Sequence, residues 1–382
     1  MSPSKSSFCA VLPPREAFSP EAAGAIAMVV QRLAAATPGM VVVGSPCGRP
    51  FPGIIFEPAR GTAGLLLLIR RLRPAVIEVH QQPRLAVALS FLFPRARIML
   101  FLHNDPLTMR GLKSVAGRRL ALARLHRVIC VSDFLRRRYI TGLVPAPSSP
   151  DLIRRSTPCL AAAEKAWMAG SSPAMTMAGN APAILPNPLT LAALPPRAAA
   201  RANTILFAGR IVADKAPDIF VAACAIALPN LPGWTAAMIG GDRFGPASPE
   251  TPYVAAVRAA AAEAGISFAG PRPHAEVLEA MAQAAIVVVP SRWAEPFGLT
   301  ALEAIASGAA LIAADTGGLP EVAGDAALYV PPDDAAALAA AIIALADDPE
   351  HRAALAAAGL ARAQNFDTAV IAAALAKLRG TV

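Results

Sequence analysis

Cysteine is scarce: Cys9, Cys47, Cys130, Cys159 and Cys224 are odd in number, widely scattered along 382 residues, and show no pair at metal-ligand spacing. That pattern excludes a disulfide framework and argues against a zinc site. The cysteines are expected to behave as small buried hydrophobes. Aromatic residues make up only 5% of the chain, and no base-reading module accompanies them, which weighs against nucleic-acid binding despite a formal net charge of +9. Long apolar runs are missing too. Hydrophobic content is 55%, much of it alanine, yet the nearest candidate, Leu85 to Phe93, is half the roughly 18 residues that a membrane span needs. The first apolar run, Phe8 to Leu12, is too short for a signal-peptide core, so a cytoplasmic location is expected. No Asp-x-Asp stands beside an expected strand end.

What the chain does contain is alternation. Its length suits two domains of about 150 residues. Strands are predicted at Phe8 to Leu12, Met40 to Val43, Ile54 to Phe56, Val76 to Val79, Ile98 to Leu102 and Val128 to Val131. Helical patterns at Pro20 to Ala35, Gly61 to Leu72, Arg84 to Leu92 and Leu112 to Leu125 lie between them. Strands and helices that alternate in this way argue for an α/β domain with a parallel sheet, which binds ligands at the carboxyl ends of its strands.

The most informative stretch is 290–303, Pro-Ser-Arg-Trp-Ala-Glu-Pro-Phe-Gly-Leu-Thr-Ala-Leu-Glu, which follows the apolar strand Ala285 to Val289. Pro296 and Gly298 break the chain before a helix whose first amides, at about Gly298, Leu299 and Thr300, would suit a diphosphate. Glu295 and Glu303 are acceptor-only side chains that can hold sugar or ribose hydroxyls. Eighty residues earlier, the strand Thr204 to Ala208 runs into Gly209-Arg210-Ile211-Val212-Ala213-Asp214-Lys215. Two fixed cations there would stabilise the charge of a departing diphosphate.

Glu-Pro-Phe-Gly-Leu-x-x-x-Glu after a buried strand resembles the donor-site motif of retaining glycosyltransferases of family 4. The Gly209 to Lys215 loop, the glycine turn after Ala237 to Ile239, and the run Ala310 to Glu321 follow in that family's order, from about Asn203 to Phe366. The resemblance implies the GT-B fold, two Rossmann-like domains facing each other across a cleft. It also implies a metal-independent transfer from a nucleoside-diphosphate sugar, with no cofactor. Arg210 and Lys215 would face the diphosphate and Glu295 the transferred sugar. Glu303 would face the ribose, and Gly209, Phe297, Gly298, Leu299 and Thr300 would complete the donor site. The loop carrying Arg272 would face the base.

On the other side of the cleft, His103 follows Ile98 to Leu102, where the family typically carries a histidine near the transferred sugar. His80 has only its strand-end position to recommend it. Ser132 or Asp133 reads as a helix N-cap. Gly24 is the remaining candidate for a phosphate contact where many members have paired glycines. Glu321 reads equally as a ligand-loop residue and as a helix cap.

Charge divides along the chain: residues 1–140 carry 20 Lys and Arg against 6 acids, and residues 203–382 carry 10 against 18. A basic first half suggests an anionic partner, either a lipid-linked glycan acceptor or the inner face of a membrane. The expected division is 1–141 for the acceptor-side domain, 142–182 for an insertion or linker without assigned function, 183–366 for the donor domain, and 367–382 for a C-terminal helix. The expected function is transfer of a sugar to a glycan or lipid-linked glycan hydroxyl, in cell-envelope polysaccharide or lipopolysaccharide synthesis. An idle GT-B scaffold and a basic nucleic-acid-binding protein are the alternatives.

Overall fold

The computed structural model describes residues 7–14, 16–143, 181–198, 200–243 and 248–380. Most of the expected insertion, including Cys159, lies outside them. Apolar runs that are buried on both faces form two parallel sheets. The first contains β1 (Phe8–Val11), β2 (Val41–Gly44), β3 (Ile55–Pro58), β4 (Val76–His80), β5 (Arg97–Leu102), β6 (Arg127–Cys130) and β7 (Ala183–Ile184), in the order β3-β2-β1-β4-β5-β6-β7. The second contains β8 (Ala202–Ala208), β9 (Thr235–Ile239), β10 (Ser267–Phe268), β11 (Ala284–Val289), β12 (Ala310–Ala314) and β13 (Ala327–Val330), in the order β10-β9-β8-β11-β12-β13.

Helices α1 (Ala25–Ala35), α2 (Gly61–Leu72), α3 (Pro83–Leu92), α4 (Val115–Arg124) and α5 (Asp133–Ile140) wrap the first sheet. The second carries α6 (Pro217–Ala227), α7 (Pro252–Glu263), α8 (His274–Gln283), α9 (Leu299–Ala306), α10 (Leu319–Ala323), α11 (Ala335–Asp347) and α12 (Pro349–Ala363). All six strands predicted for the first half occur, within two residues at either end. Helix α1 begins five residues later than its pattern suggests, because Ser19 to Ala22 form turns ahead of the cap at Gly24.

Two features depart from a simple split of the chain. The expected start of the second domain at 183 falls on β7, which pairs with β6 and so extends the first sheet. Its two residues are too few to show a pattern. The last helix, α13 (Thr368–Arg379), leaves the second domain and returns to the first, burying Ile371 and Leu375 against Val29, Leu33, Met99 and Phe101. At its end Arg379 Nε bonds Glu78 Oε1 at 2.6 Å, and its Nη1 reaches Thr37 Oγ1 at 3.1 Å. Glu78 is fully buried in the middle of β4 and Arg379 is 3% exposed.

Each sheet reverses its strand order once, between β1 and β4 in the first and between β8 and β11 in the second. Such switch points open a crevice at the carboxyl ends of the strands.

Removing one member of the Glu78–Arg379 pair strands a buried charge. Arg379→Met is expected to lower unfolding stability by about 3 kcal/mol or more. Adding Glu78→Met should restore most of that loss, read from urea unfolding of the single and double variants.

Candidate donor site at the second switch point

The loops after β8 and β11 meet at the second switch point, and a carboxylate joins them. Lys215 Nζ pairs with Glu295 Oε1, which also accepts from Ser291 Oγ at 2.7 Å. Around this contact Arg292 acts as a clamp. Its guanidinium bonds Asp218 Oδ2 at 2.8 Å and Asp333 Oδ1 at 2.6 Å, while the amides of Arg292 and Trp293 donate to Asp214 O at 3.1 Å. Ala216, directly after Lys215, has φ of 52°, a left-handed conformation that a non-glycine residue holds only where its surroundings require it.

Backbone meets backbone on the other side of Glu295. Gly317 has φ of 61°, and a Cβ there would lie 2.4 Å from both the amide nitrogen and the carbonyl oxygen of Glu295. The turn before α10 therefore supports the Glu295 loop in a way that only glycine permits. Gly298, with φ of 101°, is the N-cap of α9 and gives it no side-chain cap, so the first-turn amides are left outward-facing. Phe297 turns its ring into the core against Phe366, leaving only its backbone to the site. Leu299 packs on the first domain beside the α13 cluster, and Thr300 is half-buried. Gly209 and Arg210 are half-buried at the end of β8, and Arg210 makes no hydrogen bond or ion pair among the described residues. Arg272 is exposed and pairs loosely with Glu276 at 3.8 Å.

Glu303 is buried on α9, and its Oε1 receives His274 Nε2 at 2.9 Å and Arg32 Nη2 at 3.3 Å. Burial pushes its carboxyl up, but His274 and Arg32 outweigh burial and hold it below the usual range. Burial opposes a proton on His274, yet Glu303 raises that imidazole above its ordinary value. Glu295 and Glu303 thus share a design: Oε1 is tied down, and Oε2 is left without a partner among the described residues.

Three further contacts join the domains beside the cleft. Arg32, on the apolar stripe of α1, also bonds Pro188 O at 2.9 Å. Ser132 caps α5, accepting from Leu135 N at 3.2 Å, and donates to Pro296 O. Glu321 does cap a helix, but in the other domain: its carboxylate accepts from the amides of Asp133 and Phe134, both at 2.6 Å. At the first switch point His103 and His80 face each other at 3.0 Å. Gly24 lies where an anion is held, but the anion is the protein's own. Glu16 Oε1 accepts from Ala27 N at 2.9 Å, and a Cβ at Gly24 would stand 2.5 Å from it.

Sequence reasoning missed Arg32, His274, Arg292 and Glu16. Arg32 left one signal, a cation among the buried Val29, Val30, Leu33 and Ala34 of α1. The other three act through partners that no local pattern reveals.

Residues 196–362 match the family model described as Glycosyl transferases group 1. The match covers less than half of the chain, all of it in the second domain. D-inositol 3-phosphate glycosyltransferase from Corynebacterium aurimucosum is 36% identical over 125 residues, 32% of this chain and 29% of that one. The enzyme of the same description from Nocardia farcinica is 39% identical over 145 residues, covering 34% and 31%. An exopolysaccharide phosphotransferase from Streptomyces coelicolor is 33% identical over 154 residues, covering 38% and 15%. The chain therefore spans less than a third of the length of these relatives.

Among solved structures, Anabaena HepE in complex with UDP and glucose superimposes with a TM-score of 0.72 at 17% identity, covering 98% of this chain and 100% of that one. Sucrose-phosphate synthase from Thermosynechococcus elongatus gives 0.68 at 20% identity, covering 97% and 98%. The likeness extends over both domains, and the fold is GT-B.

The His274–Glu303 pair has a pH signature. Stability from the raised histidine is fully present below its unfolded value, near 6.5, and is lost as pH rises through the higher folded value. Stability from the depressed carboxyl is lost only on the acid side. His274 is 37% exposed at its side chain, so solvent screens the pair and His274→Gln should lose no more than about 1 kcal/mol at pH 6. Denaturation at stepped pH should show that difference shrinking above neutrality.

Proposed function

We propose that the protein is a retaining glycosyltransferase that moves a sugar from a nucleoside diphosphate to a hydroxyl of a glycan or lipid-linked glycan, without a metal, in cell-envelope polysaccharide or lipopolysaccharide synthesis. The observation that carries this reading is the convergence of Lys215, Arg210, Glu295 and the uncapped start of α9 at one switch point. Lys215 donates one N–H to Glu295 and has two left for phosphate oxygens, and Arg210 adds a second cation. The first-turn amides of α9 complete an anion cradle. The free oxygen of Glu295 is available to hydroxyls of the transferred sugar, and that of Glu303 to the ribose. Gly209 and the backbone of Phe297 line the same donor pocket, with Arg272 toward the base and His103 on the acceptor side. No side chain is needed as general base if the leaving phosphate takes the proton of the attacking hydroxyl.

We also infer a cytoplasmic location, peripheral on an anionic membrane surface. No helix of the described residues is long and apolar enough to cross a membrane. Support for docking comes from the outer face of α2, α3 and α4, whose inner faces share one core cluster. Leu67 is 70% exposed there, Phe91 58% and Leu120 47%, and the Arg124 guanidinium lies 3.8 Å from the Phe91 ring centroid. Arg70, Arg73, Arg95 and Arg119 are exposed around them. Between Glu57 and Asp105 the sole acid is the buried Glu78, and between Asp105 and Asp133 there is none. Each surface cation contributes about 1 kcal/mol toward an anionic leaflet.

A panel of nucleoside-diphosphate sugars, read as release of free nucleotide, tests the activity. Arg210→Ala and Lys215→Ala should each lower turnover by at least about a hundredfold, with the fold intact, while the wild type keeps its activity in excess EDTA. Near-normal turnover in either variant would remove the centre of the proposal. Docking is read by sedimentation with vesicles: binding is expected with anionic lipid, little with neutral lipid, and a clear loss for Phe91→Ser with Arg124→Glu.

A further inference from the structure

His80 and His103 are a buried pair whose proton arrangement the structure makes legible. His80 ends β4 and is fully buried, with its ring stacked on Phe101 at 4.5 Å between centroids and 23° between planes. Its Nδ1 lies 3.0 Å from Nε2 of His103, which is 8% exposed at the end of β5. The backbone between the two is pinned. Gln81 has φ of 61°, and its Oε1 accepts from the amide of His103 at 2.8 Å. Both imidazoles are neutral at physiological pH. Burial brings His103 down to about 4, and burial, His103 and Arg379 hold His80 well below the ordinary histidine range.

One proton lies between the rings, and it belongs to one of them. His80 Nε2 is buried with no hydrogen-bond partner among the described residues. If His80 were the donor-poor partner, accepting at Nδ1, its Nε2 would have to carry a hydrogen, and an orphaned N–H would sit in the core. Orphaned buried N–H groups are rarer than under-satisfied acceptors. The other arrangement leaves Nε2 a bare lone pair. His80 Nδ1–H then donates to His103 Nε2, and the remaining proton of His103 must be on Nδ1, the nitrogen not engaged by His80.

We propose that His80 is a positioning residue that locks His103 in its Nδ1–H form, so that His103 meets the cleft as a neutral hydrogen-bond donor to a sugar oxygen and not as a base. The inference rests on the acceptor-side reading of His103, and it adds a role for the strand-end histidine that contacts no substrate itself.

Two measurements test it, and the first needs no activity. In the full chain carrying nitrogen-15 histidine, multiple-bond proton–nitrogen spectra near pH 7.5 should show His103 protonated at Nδ1 and bare at Nε2, and His80 protonated at Nδ1. His103 found with Nε2–H, or charged, overturns the proposal whatever the substrate is. The second is His80→Leu against His80→Asn, whose amide can replace the Nδ1–H donor. His80→Leu should lower kcat by about tenfold with the KM for the donor little changed, and leave His103 in a mixture of tautomers. His80→Asn should recover much of the rate and the Nδ1–H signature of His103. Equal loss in both variants with His103 unchanged would reduce His80 to packing and overturn the proposal. Absence of transfer with every nucleotide sugar, alongside the expected spectra, would instead count against the glycosyltransferase reading.

Discussion

A carboxylate taken out of water must be met by donors, and five glutamates in this protein are met in ways that set its layout. Glu78 draws the end of α13 back across the first sheet through Arg379. Glu303 reaches Arg32 on α1, and Glu321 reaches the amides that open α5, so the second domain is tied to the first at two separate helices. Glu295 joins the two loops of the switch point through Lys215, and Glu16 closes the start of α1. The apolar clusters hold each domain together and in part run across both, as where Leu299 and α13 pack on the first domain. These polar ties fix where the elements that line the cleft stand relative to one another, since leaving any of these carboxylates unpaired incurs a desolvation penalty.

What could be read from the sequence follows from the same distinction. Parallel strands such as Val41–Gly44 and Ala284–Val289 are apolar on both faces and stand out as runs. The candidate residues Arg210, Lys215, Glu295 and Gly298 stand out in the sequence because each is placed by its own strand-loop-helix turn. The partners are not. Arg32 and Glu303 are 271 positions apart, and Glu78 and Arg379 are 301. No local periodicity links such pairs, and the return of α13 to the first domain is equally invisible in its own alanine-rich pattern. The phosphate contact expected at Gly24 is not what the turn holds: its occupant is the carboxylate of Glu16, from a segment without regular structure.

The charge division along the chain acquires a shape in the fold. Many cations of the first half lie on the outer helices, and at the carboxyl ends of β4 and β5 the buried side chains His80 and His103 are neutral. Two acids of the second half, Asp218 and Asp333, are paired internally with Arg292. Among the described residues of the switch-point loops, Arg210 is a cation without an ion pair, and Lys215 is shared with Glu295.

That sharing bears on how an anionic ligand would be received. A lysine held only by solvent would have to be ordered on binding, at an entropic cost of up to about 2 kcal/mol for a long side chain. Glu295 meets that cost in advance, because it holds the ammonium in place while a second and third N–H remain uncommitted. The reverse also holds. Lys215 and Ser291 fix one oxygen of Glu295 and leave the other, so a ligand that bonds both residues meets two groups already oriented by each other. Glu303 repeats the arrangement with Arg32 and His274, except that one of its anchors comes from the opposite domain. Displacing the domains would loosen that second carboxylate while leaving the first intact. The geometry thus separates a part of the site that is complete within the second domain from a part that exists only when the two domains are together.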